Sequence, residues 1–153
     1  MSANFLVRAG VKARIAEILG QASGVPVFRA FPPDVPDELI WLASTTGGLE
    51  YNVLGSNLPR DDKFSVIVVC MSFKPGDTPE EAELRVEEIA STVIVELADN
   101  VRLDDEVSDE FSIFDALITS VDGPDAMPGP DGEGWDAFVR ISIDIHLRIT
   151  REQ

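Results

Sequence analysis

Few residues in this chain have side chains suited to chemistry. The single histidine, His146, lies in the run WDAFVRISIDIHLRIT, Trp135 to Thr150. Asp144 stands two positions earlier, on the same side of a strand, so the spacing offers a histidine–carboxylate pair. A nucleophilic relay also needs a positioned serine or cysteine, and no G-x-S-x-G run accompanies the pair. The one cysteine, Cys70, sits in VIVVCMSF, the setting of a small buried hydrophobe, and cannot form an internal disulfide. Asp122, Asp125, Asp131, Glu133 and Asp136 are dense enough to suggest calcium, but the D-x-[DN]-x-[DN]-G order and its following glutamate are missing. Turn formation by Asp-Gly and Pro-Asp-Gly accounts for the same residues. One cysteine and one histidine cannot supply a zinc site. Gly47-Gly48 lacks the lysine of a phosphate loop, and Asp104 and Asp105, adjacent in sequence, point different ways. The expectation is a protein with no catalytic residues, no metal and no cofactor, and not an enzyme.

The elements that must position these residues are easier to read. From Ala137 to Ile149 every second residue is apolar, and Phe138, Arg140, Ser142, Asp144, His146, Arg148 and Thr150 alternate with them. That period predicts a long strand buried on one side, the spine of an antiparallel sheet. Val7, Val11, Ile15, Ile18 and Leu19 recur at helical spacing and predict a helix over Asn4–Leu19 that Gly20 stops, with Arg8, Lys12 and Arg14 on its outer surface. Val25–Phe31 reads as a strand ended by Pro32, Pro33 and Pro36, and Glu38–Ser44 as another, carrying Trp41 on the core or the sheet face. Thr45 to Gly48 reads as a turn, Leu49–Leu54 as a further short strand or one arm of an excursion, and Gly55–Asp62 as a loop. Lys63–Phe73, almost wholly apolar, reads as a central strand buried on both faces. Thr78, Pro79 and Glu81 form the start of a capped helix reaching Ala98, with Ala82, Val86, Ile89, Ala90, Val93 and Leu97 as its buried stripe. After an acidic loop over 99–110, Phe111–Val121 is a strand, and the glycine- and proline-rich run Asp122–Gly134 predicts a long connection to the last strand. The two flanking strands should pair as a hairpin.

At 153 residues and 44% hydrophobic content, the chain is expected to be a single domain, residues 1–153, with an ordinary core. It shows no signal-peptide pattern and no run of about 18 apolar residues, which predicts a cytoplasmic, soluble protein with no membrane partner. Its 28 acidic and 12 basic side chains give a net charge of −16, which repels phosphate backbones and argues against specific nucleic-acid binding. The charge is uneven. Residues 1–60 carry five acidic and five basic side chains, whereas 99–136 carry twelve acidic ones and a single basic one, Arg102. The acidic region reads either as a solvated loop face or as one side of a complementary contact with another copy. The long segments 45–62 and 122–134 hold or adjoin Tyr51, Leu54, Leu58, Met127 and Trp135, apolar groups that either pack beneath their own loops or meet another protein.

An amphipathic N-terminal helix, an apolar strand pair around a long excursion, the capped helix TPEEAELRVEEIASTVIVELA after a central strand, and a hairpin ending in RISIDIHLRI together resemble the tail terminator proteins of long, non-contractile-tailed bacteriophages and gene transfer agents. The resemblance spans Asn4 to Ile149 and is one of element order, without a short diagnostic motif. It implies an α/β (α+β) fold: a mixed, mostly antiparallel sheet with two main helices packed on one face and a long C-terminal β-hairpin. It also implies a homo-hexameric ring that caps the head-proximal end of a tail tube, ends tube polymerisation and makes the head–tail joint. The implied partners are further copies of the chain, the tail tube protein and head–tail connector proteins. DNA passes through such a ring without specific binding, and the place of work is the virion tail after assembly in the bacterial cytoplasm. The residues expected at subunit interfaces are Arg8, Lys12, Arg14, Tyr51, Arg60, Asp104, Asp105 and Trp135. Competing readings are another connector or tail-completion subunit, a small-molecule or peptide-binding α/β domain, and an enzyme using clustered carboxylates.

Overall fold

The computed structural model describes residues 8–51, 60–74, 78–100, 111–129 and 134–149. The elements run α1 (Arg8–Ser23), β1 (Val27–Phe28), β2 (Glu38–Tyr51), β3 (Arg60–Lys74), α2 (Pro79–Asp99), β4 (Phe111–Pro128) and β5 (Trp135–Ile149). The strands form one sheet in the order β1-β2-β3-β5-β4. Only the β1–β2 pair is parallel, and every other pair is antiparallel, so the sheet is mixed and mostly antiparallel. The C-terminal hairpin forms as expected, with β4 against β5.

β5 occupies an interior position because its alternation suits two neighbours and one covered face. Ala137, Val139, Ile141, Ile143, Ile145 and Leu147 are all buried in a single cluster with Phe64, Val66, Val68 and Cys70 of β3. Both helices close over that cluster. α1 contributes Val11, Ile15, Ile18 and Leu19, and α2 contributes the six residues of its predicted stripe. The start of α2 is fixed locally. Thr78 Oγ1 accepts the Glu81 backbone N–H at 3.2 Å and donates to the Glu81 carboxylate, and Pro79 occupies the first turn, where its missing N–H costs nothing. The β-branched run Thr92–Val95 is therefore helical: the cap and the buried stripe outweigh its strand propensity. Arg85 ties α2 to the first residue of β2 through a two-toothed contact with Glu38, which holds the guanidinium in its charged form.

Several expectations are corrected. α1 does not end at Gly20: it continues to Ser23, and the glycine that adopts the left-handed conformation helix ends favour is Gly24, at φ 68°. Its expected beginning, residues 4–7, lies outside the described residues. The first strand shrinks to Val27–Phe28, since the prolines around it leave few donors for a ladder. Thr45–Gly48 is no turn. β2 runs straight through it, with Gly47 paired to Phe64 and Gly48 to Lys63 and a single bulge between Leu42 and Ser44. A long partner strand on that side overrides the weak strand preference of glycine, and β3 accordingly starts at Arg60 within the expected loop. The connection expected over Asp122–Gly134 is likewise strand as far as Pro128. A third register shift, between Asp122 and Asp125, absorbs the cis Gly123–Pro124 step. Gly123 has φ 107°, and a Cβ there would meet the Phe138 carbonyl oxygen at 2.8 Å, so only glycine fits.

The covered side of β3 is fully buried, whereas Ser65, Ile67 and Met71 on the other side are half-exposed, which corrects the expectation of burial on both faces. No helix among the described residues is long and apolar enough to cross a membrane. Ile143 is fully enclosed at the sheet centre, so Ile143→Ala should lower unfolding free energy by about 2–5 kcal/mol in a urea titration. The Cys70 thiol, pushed up to about 12 by burial, should resist a thiol reagent at pH 8 in the native protein and react only as the chain unfolds.

Candidate functional site

Both helices lie on one side; the opposite face of β2, β3, β5 and β4 carries no helix among the described residues and is called the bare face, and the sites of interest lie on it. Register sets its rows. Trp41 of β2, Val69 of β3, Arg140 of β5 and Asp122 of β4 form one row, and Met71 and Phe138 lie in the next. Here the surface is apolar. A groove of about 340 Å³ is floored by Ile67, Val69, Met71 and Phe138 and walled by Trp41 and Phe31. The Phe31 and Trp41 rings meet edge to face, centroids 4.9 Å apart, in the arrangement aromatic quadrupoles favour. Phe31 is still 47% exposed, and the buried Trp41 indole N–H has no acceptor among the described residues. Arg140 stands at the rim with its guanidinium 6.0 Å from the Phe138 ring.

Farther along the same face the surface turns polar. Asp61, 6% exposed, accepts from Arg148 Nε at 3.1 Å and lies 3.0 Å from His146 Nε2. Ser65 donates to Asp144 at 2.6 Å, and Thr119 reaches the same carboxylate oxygen at 3.5 Å. A second cavity, of about 320 Å³, lies among Lys63, Ser65, Asp115, Asp144 and His146. The carboxylate that holds His146 is thus Asp61, from another strand, and Asp144, the expected partner, takes hydroxyls instead. Ser65, one of the serines on this face, has its hydroxyl bonded to Asp144 and supplies that carboxylate with a donor. No group of three or more metal-ligating side chains is assembled among the described residues.

The expected interface residues are scattered. Arg8 is not a surface decoration: its Nε and Nη2 grip Asp62 at 2.9 and 2.7 Å, and Asp62 is fully buried on the covered side of β3. The hydrogen bond to Asp62 raises the Arg8 pKa, and the Phe64 ring lies 5.0 Å from the guanidinium. Lys12 donates to the Arg29 carbonyl at 3.4 Å, and Arg14 pairs with Glu17 one turn on at 3.1 Å. Tyr51 and Arg60 face each other in register at the far end of β2 and β3. Trp135 is half-buried against the main core at the start of β5, while Met127, near it, is 54% exposed. Asp104 and Asp105 lie outside the described residues. The groove itself was not anticipated. Its only sequence signal is the run of large residues at the polar-side positions of β5 and β3, Phe138 and Met71 among them.

No family model matches the chain, and no curated protein matches it. Among solved structures, it is similar to a chain from the virion of a native gene transfer agent particle, with TM-score 0.59 and 13% sequence identity. The match covers 95% of this chain and 98% of that one. At this identity the likeness is one of fold, and it extends over nearly the whole of both chains.

The Arg8–Asp62 pair is open to a direct check. Arg8→Met should destabilise the protein by about 3 kcal/mol, the lower end of the range for stranding a buried charge, because Arg8 itself reaches solvent. Arg8→Met combined with Asp62→Met should recover most of that loss in the same urea titrations.

Proposed function

We propose that the chain is a structural virion protein, and more narrowly a tail terminator: a subunit of a hexameric ring that caps the head-proximal end of a tail tube. The observation that carries this reading is the fold likeness, end to end, to a chain of a gene transfer agent virion. The order of elements in the sequence resembles that of tail terminator proteins. In this reading the chain works by contact. It has no catalytic activity and needs no cofactor, and its partners are further copies of itself, the tail tube protein and the head–tail connector proteins.

Physical features agree with such a role. A ring is built from two different patches on one subunit, and a one-sided sheet supplies two dissimilar broad surfaces, one bare and one helical. A net charge of −16 suits the wall of a passage that DNA crosses without sticking, since acidic surfaces repel phosphate. The charge split along the sequence is a weaker support than it looked, because Arg8, Lys12 and Arg14 all make contacts within their own subunit.

Native mass spectrometry and electron microscopy of the purified protein, alone and with growing tail tubes, test the reading. A ring of about six copies seated at one tube end, with elongation arrested, is the expected result. A chain that stays monomeric while tubes lengthen unhindered would overturn it, and rings that bind the head vertex but leave tubes untouched would reassign it to a connector role.

A further inference from the structure

The bare-face groove has a counterpart on the other side of the molecule. Leu84 of α2 is 62% exposed, the highest value among the large apolar side chains described. It points away from the sheet, because Ala82, Val86, Ile89 and Ala90 fill the inward face of the same turns. Glu80 lies one turn before it and Glu87 one turn after, both exposed, so an apolar knob is flanked by carboxylates on one helix stripe. The groove is the inverse: an apolar floor and, at the rim, an exposed arginine that stacks over Phe138.

We propose that the groove of one subunit receives Leu84 of the next, with Glu80 and Glu87 meeting Arg140. The proposal rests on reading the chain as a ring subunit, and it names the interface. The two patches occupy opposite faces of one molecule, so they cannot meet within it. A contact between unlike patches passes from copy to copy and closes only when the rotation per subunit completes a circle. Seating Leu84 covers two apolar surfaces that water otherwise wets, and the carboxylates set charged acceptors beside the exposed Arg140 guanidinium. The chain's excess of acid makes an exposed cation beside an apolar groove a natural address for its own kind.

Sedimentation and native mass of the full chain across a concentration series test this. Arg140→Glu should raise the concentration of half-assembly by about tenfold or more, the effect of setting like charges against each other at a contact. Glu80→Arg with Glu87→Arg should do the same, and all three changes together should restore assembly. Leu84→Ser should weaken assembly without charge change. All four residues are exposed, so the circular dichroism spectrum should be unchanged in every variant, which separates lost contact from lost fold. If the wild-type ring forms and the variants assemble as it does, this interface is wrong while the ring reading stands. Losses in the separate variants without recovery in the combined one also overturn the pairing. A wild-type chain that is monomeric at every concentration overturns both readings.

Discussion

Two helices cover one face of a sheet whose strands reach 14 to 18 residues, and most of the molecule's behaviour follows from that asymmetry. Apolar side chains on the covered side form a single core. The other side is built of the alternate residues of the same strands, so whatever it displays is decided by the in-between positions of β3, β5 and β4. On β3 those positions are large and apolar at one end and charged at the other, while β4 sets Asp122 and Asp125 beside the apolar end. A surface of this kind does not resemble the uniformly polar back of a solvent-facing sheet.

Strand alternation also explains how the far end of the sheet is held. Asp61 and Asp62 are neighbours in sequence and face opposite ways. Asp62 points under α1 and takes both arms of Arg8, whereas Asp61 emerges on the bare side between His146 and Arg148. One dipeptide therefore links the helix layer to β3 and links β3 to β5. A buried carboxylate is stable only when it is fully paired, so the cost of leaving either aspartate without its partner keeps both layers in register.

Where one kind of information dominated, the sequence was readable. The period of β5 and the cap and stripe of α2 appear in the structure almost to the residue, because local propensity and burial agree there. Reading failed where a neighbouring strand decided the outcome. Gly47-Gly48 and Gly123-Pro124 carry strong turn chemistry, yet each lies opposite an apolar strand long enough to draw the backbone into its ladder. The groove was hidden for a related reason. Trp41, Val69 and Arg140 become neighbours only through register across three strands, and none is unusual in its own segment. Arg8 was read as a solvated cation because its partner lies 54 positions away.

β4 has a further consequence. It is the long outer strand of the sheet, and its pairing with β5 is interrupted between Ile113 and Asp115, between Ile118 and Ser120, and between Asp122 and Asp125. Each interruption throws the outward-facing amides and carbonyls out of line, and Pro124 and Pro128 present no amide at all. A stray strand has no straight run to join there, so the molecule is guarded against fibrillar stacking through that rim.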